Sequence, residues 1–234
     1  MPADLEDIDA TWLLLRGSVD GRPVPMPAKA RTTIRFTGSQ FGGQAACNSY
    51  GGRIRFVGNA IALGEILQTL IGCAGEFLES EQMFFSSLRG VSAIGFDGDE
   101  LVLAGPGIEL RFTRLPEVQL DEFVDRQWVL ASLVHDGKEV LPGGLPVTLQ
   151  IGSDGTFSGT TGCRTFRGKW IASGDQVGAT AMEMGGAECP ALLQSQDGYV
   201  VSVIDDGFIP TVDGDELTLS DVNGDALIYR AAAD

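Results

Sequence analysis

Cys47 and Cys73 stand 26 residues apart, Cys163 and Cys189 also stand 26 apart, and the second pair follows the first by 116. This spacing constrains the fold more than any composition does, because the same offset recurs along most of each half. It carries Trp12 onto Trp128, Asp20-Gly21 onto Asp136-Gly137, Phe41 onto Phe157, Gly43 onto Gly159, Gly52 onto Gly168 and Gly58 onto Gly174. It also carries Asp97-Gly98-Asp99-Glu100-Leu101 onto Asp213-Gly214-Asp215-Glu216-Leu217. One domain is therefore written twice, with expected boundaries at 1–115 and 116–234. Each half is large enough to bury a core without help from metals.

Within each half, short runs of Val, Ile, Leu, Phe and Thr alternate with Gly, Asp and Asn, as antiparallel strands joined by tight hairpins do. The first half predicts strands at 11–16, 32–36, 40–47, 52–57, 60–66, 92–96, 100–103 and 108–113. Asp-Gly at 20, 97, 136, 154 and 213 and Asn-Gly at 223 suit turns that need a positive φ. Strand 32–36 matches 147–151 better at offset 115, since Ile34 and Phe36 must face the core as Leu149 and Ile151 do; a one-residue slip would turn the strand inside out.

One segment per half breaks the β pattern. Residues 76–89 space Phe77, Phe84 and Leu88 at helical intervals, with acids first and an arginine last. Residues 190–204 open on proline and set Leu192, Leu193, Val200, Val203 and Ile204 on one face. The predicted fold class is α+β, mostly β: two tandem domains, each a strongly bent antiparallel sheet or cracked barrel packed on one helix.

The motif cysteines sit in Ala46-Cys47-Asn48-Ser49-Tyr50-Gly51-Gly52 and Gly162-Cys163-Arg164-Thr165-Phe166-Arg167-Gly168. An opening tryptophan strand, this cysteine turn with its aromatic and glycine, a second cysteine before the helix and a closing DGDxLxL hairpin, met twice, resemble the META domain family, also called HslJ-like. The motif positions Asn48, Tyr50, Gly52 and Arg164, Phe166, Gly168 carry that resemblance; the second copy departs from it by having Arg164 in place of asparagine. The resemblance implies a cracked β-barrel crossed by a helix. It also implies an association with the bacterial envelope, heat shock, antibiotic tolerance and virulence, without an established activity. The chain lacks the N-terminal lipoprotein cysteine of many family members.

Candidate chemistry is sparse. The cysteines admit a disulfide in each half, reduced core packing or a metal site, and a zinc site lacks both Cys-x-x-Cys pairs and nearby histidines. If oxidised, equal separations predict Cys47 with Cys73 and Cys163 with Cys189, never across the halves. His135 is the only histidine, next to a turn, and the corresponding place in the other copy holds Val or Ser, which argues against a Ser-His-Asp or Cys-His centre. Asp97, Asp99 and Glu100, repeated at Asp213, Asp215 and Glu216, read as hairpin turns in preference to a calcium loop. Trp12 and Trp128 read as core anchors, and Trp170, whose counterpart is Ile54, as exposed or lying between the halves.

The balance of 16 basic against 32 acidic residues gives a net charge of −16, which repels phosphate backbones and argues against nucleic acid. The first fifteen residues are acidic where a signal peptide is basic, and no run approaches the roughly 20 apolar residues of a membrane helix. The location expected is cytoplasmic for the chain as it stands, or extracytoplasmic if a leader has been removed, since matched cysteine pairs suit an oxidising compartment. The function expected is non-catalytic binding or scaffolding, with no cofactor and no metal. A carrier of a small apolar or amphipathic ligand, held between sheet and helix or between the halves, is the alternative, and an enzyme with an unrecognised site is the third. A protein partner or such a ligand is the partner class expected.

Overall fold

The computed structural model describes residues 8–27, 30–70, 72–73, 75–221 and 224–232, the Ser173 side chain excepted. It divides into two compact units, Met1–Pro116 and Glu117–Asp234.

The first unit contains β1 (Thr11–Val19), β2 (Arg22–Pro23), β3 (Thr33–Thr37), β4 (Gln40–Gln44), β5 (Ser49–Val57), β6 (Ala60–Leu63), β7 (Leu67–Gln68), α1 (Glu76–Gly90), β8 (Ala93–Asp97), β9 (Glu100–Gly105) and β10 (Ile108–Arg114). Its strands run β10-β9-β8-β6-β5-β4-β3-β1, all antiparallel, and β10 pairs back onto β1. The seam between β6 and β8 rests on a single residue pair, Ala60 with Ala93. The result is a barrel cracked along one side.

The second unit repeats the plan with β11 (Gln127–His135), β12 (Lys138–Val140), β13 (Thr148–Ile151), β14 (Thr156–Thr160), β15 (Thr165–Ser173), β16 (Gln176–Gly185), α2 (Gln194–Asp205), β17 (Ile209–Asp213), β18 (Glu216–Ser220) and β19 (Ala226–Ala231). Among the described residues its crack is bridged where Val177 exchanges backbone hydrogen bonds with Phe208 at 2.8 Å each. Even the irregularities recur: register shifts interrupt β1 between Leu14 and Arg16 and β11 between Leu130 and Ser132.

Two tandem, mostly β domains are thus observed, each with one α-helix among the described residues. The one-residue slip is present too. Trp12 stands opposite Ile34 and Trp128 opposite Leu149, an offset of 115 in the second member, and Ile34, Phe36, Leu149 and Ile151 are all buried. Trp12 and Trp128 are core anchors, their indole N–H groups donating to the carbonyls of Ile8 and Phe123. Burial of side chains this large supplies the main favourable term of each core, about 1.5–3 kcal/mol apiece.

Some expectations need correction. The strand expected over 40–47 stops at Gln44, because the amides of Cys47 and Asn48 turn away toward α1. The run 60–66 divides at Gly64 into β6 and, beyond it, β7. The segment opening at Pro190 begins as a 3-10 turn, Ala191–Leu193, before α2, and this rotates Leu192 outward to 96% exposure while Val200, Val203 and Ile204 stay buried. Trp170 packs against the core of its own domain and donates to the Gly152 carbonyl at 3.0 Å. Ile71 and the turn at Asn223 lie outside the described residues.

Candidate functional site

The cysteine turn faces the helix in both domains. Cys47 is bonded to Cys73 and Cys163 to Cys189, with Cα atoms 6.3 and 5.5 Å apart, so each bond ties the turn that follows β4 or β14 to the segment entering the helix.

Beside each disulfide stands a carboxylate that the motifs did not reveal. In the first domain the Glu81 side chain, 5% exposed on α1, accepts the backbone N–H groups of Cys47 (3.2 Å) and Asn48 (2.7 Å) and the Asn48 side-chain amide (2.7 Å). The Asn48 carbonyl oxygen in turn accepts from the Thr69 hydroxyl at 2.9 Å. In the second domain Asp197 on α2 accepts from the Arg164 guanidinium through two nitrogens and from the Thr161 hydroxyl at 2.6 Å. Burial opposes the charge on Asp197, but Arg164 and Thr161 outweigh it and hold its carboxyl below the ordinary range.

Glu81 and Asp197 are separated by 116, as are Asn48 and Arg164. A short motif side chain meets a long acid in one copy, and a long motif side chain meets a short acid in the other. The gap between turn and helix is bridged either way, so the pair has changed its chemistry while keeping its span. The signal lay in the sequence as two acids in register within helices; it was invisible as a motif because Glu and Asp differ and each looks like an ordinary solvated helix residue.

The other motif residues serve packing. Tyr50 is buried against Phe84 and Phe85, ring centroids 5.6 and 5.4 Å away, and donates to the Thr33 carbonyl at 2.8 Å; burial pushes its phenol well above the ordinary value. Phe166 takes the equivalent place beside Phe157, without a hydroxyl. Gly52 and Gly168 lie under those aromatic rings: a Cβ at Gly52 would come within 2.8 Å of Phe41, and one at Gly168 within 2.6 Å of Phe157.

His135 is exposed, its Nδ1 2.8 Å from Asp225, and that hydrogen bond together with the charge of Asp225 raises its pKa. Among the described residues, the groups able to converge on a metal are His135 with Asp136 and Asp225, and the two cysteine pairs with Glu81 or Asp197, whose sulfurs are already committed to each other. The DGDxL acids are used as surface ion pairs: Asp97 and Glu100 bond Arg111, Glu100 also bonds Arg16, and Asp215 bonds Arg126. An apolar cavity between sheet and helix in the second domain, lined by Trp170, Val177, Ile204 and Phe208 among others, measures about 10 Å³, room for no more than a water.

Fold and site together define a duplicated cracked-barrel protein in which a disulfide and a helix-borne carboxylate pin each helix to its sheet. The chain belongs to the META domain family, whose sequence profile matches residues 3–117 and 121–234. No curated protein matches it significantly. Among solved structures, a protein from Burkholderia xenovorans determined by NMR is 20% identical, covering 49% of this chain and 87% of its own, with a TM-score of 0.42. A second NMR structure is 22% identical over 48% of this chain and 94% of its own, with a TM-score of 0.40.

Proposed function

We propose that the protein is a non-catalytic binding or scaffolding module of the bacterial envelope or of a stress response. The observation that carries this reading is the inward commitment of the repeated polar residues. Glu81 with Asn48 and Asp197 with Arg164 spend their hydrogen bonds on holding turn to helix. What duplication preserved is therefore architecture. The two disulfides support an extracytoplasmic location, because such bonds persist in oxidising compartments, and among the described residues no helix is long and apolar enough to cross a membrane.

A protein partner suits the surface better than a lipid suits the interior. The cavity under α2 is too small for any lipid chain. Large aliphatic side chains stand exposed around the start of that helix: Leu192, and Leu141 and Leu145 on a loop tied to the helix by the hydrogen bond of Gly143 to Gln196 and to the cysteine turn by that of Leu145 to Gly162. Surfaces of this kind mark interaction sites when they cluster.

The test is cross-linking in the native host, comparing the parent chain with Leu141→Asp and Leu192→Asp. A specific partner lost with both variants supports the reading. Robust turnover abolished by one polar substitution that leaves folding intact would overturn it. Trapping of free thiols in that host should leave all four cysteines unlabelled before reduction; four labelled thiols would remove the case for an oxidising compartment.

A further inference from the structure

The two domains differ sharply at one place where their chains are in register. In the first domain, a cavity of about 550 Å³ opens between α1 and the β1–β2 hairpin. The hairpin contributes Val19, Asp20 and Arg22, and the helix contributes Glu79, Met83 and Ser86. In the second domain the residue equivalent to Met83 is Tyr199, which reaches across from α2 to donate to the Val134 carbonyl and accept from the Ala226 amide at 3.1 Å. The residue equivalent to Val19 is His135, whose ring packs edge-on to Tyr199 with centroids 5.2 Å apart. Helix and hairpin are thus bridged in one copy and left apart in the other.

Charged side chains border the opening. Asp20, Arg22 and Glu79 border the cavity with both signs, and among the described residues none of the three has an ion-pair or side-chain hydrogen-bond partner. Glu79 is replaced by Ser195 in the closed copy, whereas Asp20 and Arg22 keep charged counterparts in Asp136 and Lys138, so the opening coincides with one added carboxylate on the helix side. All three are exposed to water, and opposite charges set around one cavity without touching each other offer both halves of a ligand that carries both signs. Val19 and Met83 add an apolar wall. The volume falls within the roughly 300–1,000 Å³ of small-molecule sites.

We propose that this cavity binds a small zwitterion of amino-acid or dipeptide size. Its ammonium group faces Asp20 and Glu79, its carboxylate faces Arg22, and its apolar side chain lies on Met83. The inference rests on the binding reading above and gives that reading a ligand class in the first domain only.

The experiment is a ¹H–¹⁵N NMR titration of the full chain with the dipeptide alanyl-leucine, and with its N-acetylated, C-amidated analogue as the uncharged control. Saturable shifts confined to the β1–β2 hairpin and the outer face of α1, absent with the control, are expected. Glu79→Gln and Arg22→Gln should each weaken binding by ~3-fold or more, the scale of an exposed charge pair. Met83→Tyr, which imports the side chain of the closed copy, should abolish it while the remaining spectrum stays unchanged. No saturable shift, equal binding of the control, or binding that survives Met83→Tyr overturns the site. Hydrolysis of the dipeptide would instead keep the site and overturn the non-catalytic reading, so the two failures are distinguishable.

Discussion

Asn48 donates its side-chain amide to the Glu81 carboxylate at 2.7 Å, and 116 residues later Arg164 makes the corresponding contact with Asp197. A neutral donor has been exchanged for a cationic one across a duplication, with the acid shortened by one carbon to keep the span. The consequences differ because the two acids differ in what remains when the contact is broken.

Glu81→Gln keeps one acceptor oxygen and makes the other position an amide donor, so the three N–H groups that now share two carboxylate oxygens, two of them backbone and unable to leave, are left with one uncharged acceptor in a buried site. A loss of about 2–3 kcal/mol is expected from this charged acceptor. Asp197→Asn strands Arg164, whose side chain is 29% exposed and can turn to water, so about 1–2 kcal/mol is expected. Urea denaturation, with hydrogen exchange to separate the two halves, measures the order; a larger loss for Asp197→Asn would contradict it. Because the folded Asp197 pKa is lowered, its contribution is present above the unfolded carboxyl value and fades as pH falls through the folded one.

Reduction of either disulfide should destabilise its own domain by ~3.5 kcal/mol, the loop-entropy value for a closed loop of 26 residues. Each bond pins the helix entry, so exchange should rise first in the opening turns of α1 and α2 and only later in the barrel strands. Peptide mapping without reduction checks the pairing, and linkages across the halves would refute it.

The Tyr229 hydroxyl is fully buried without a hydrogen-bond partner, in a position whose first-domain equivalent is Phe112. Tyr229→Phe removes the orphaned group while keeping the ring. A gain of about 1 kcal/mol is expected, since an unsatisfied buried hydroxyl carries its full desolvation cost. A destabilised variant in thermal unfolding would reveal a partner for that hydroxyl.

His135 is the only imidazole in the chain, so its titration is read from one pair of NMR signals. Asp225 raises its pKa above the usual value of about 6.5, and Asp225→Asn should bring it back toward that value. With the folded pKa raised, the stabilisation from this pair is fully present below the unfolded value and is lost as pH rises through the folded one. An unchanged pKa in the variant would show that Asp225 is not the cause.

Much of this protein was legible in its sequence. The duplication, the β pattern, the place of α1 and the slip to offset 115 follow from which side chains must leave water, and hydrophobic periodicity records that directly. Cys47 and Cys163, Cys73 and Cys189, and Gly52 and Gly168 recur in register because each disulfide needs both its sulfurs and a Cβ at either glycine would run into an aromatic ring. Glu81 and Asp197 were not legible as a site, although they too recur, because a carboxylate on a helix is read as solvated until the sheet that buries it is known. Nor could periodicity show that Leu192 leaves the helical face, that Trp170 returns to its own core, or that Tyr199 closes a space that Met83 leaves open. Those outcomes depend on contacts between residues far apart in the chain, which tertiary packing alone decides, whereas local pattern needs only the alternation of polar and apolar neighbours.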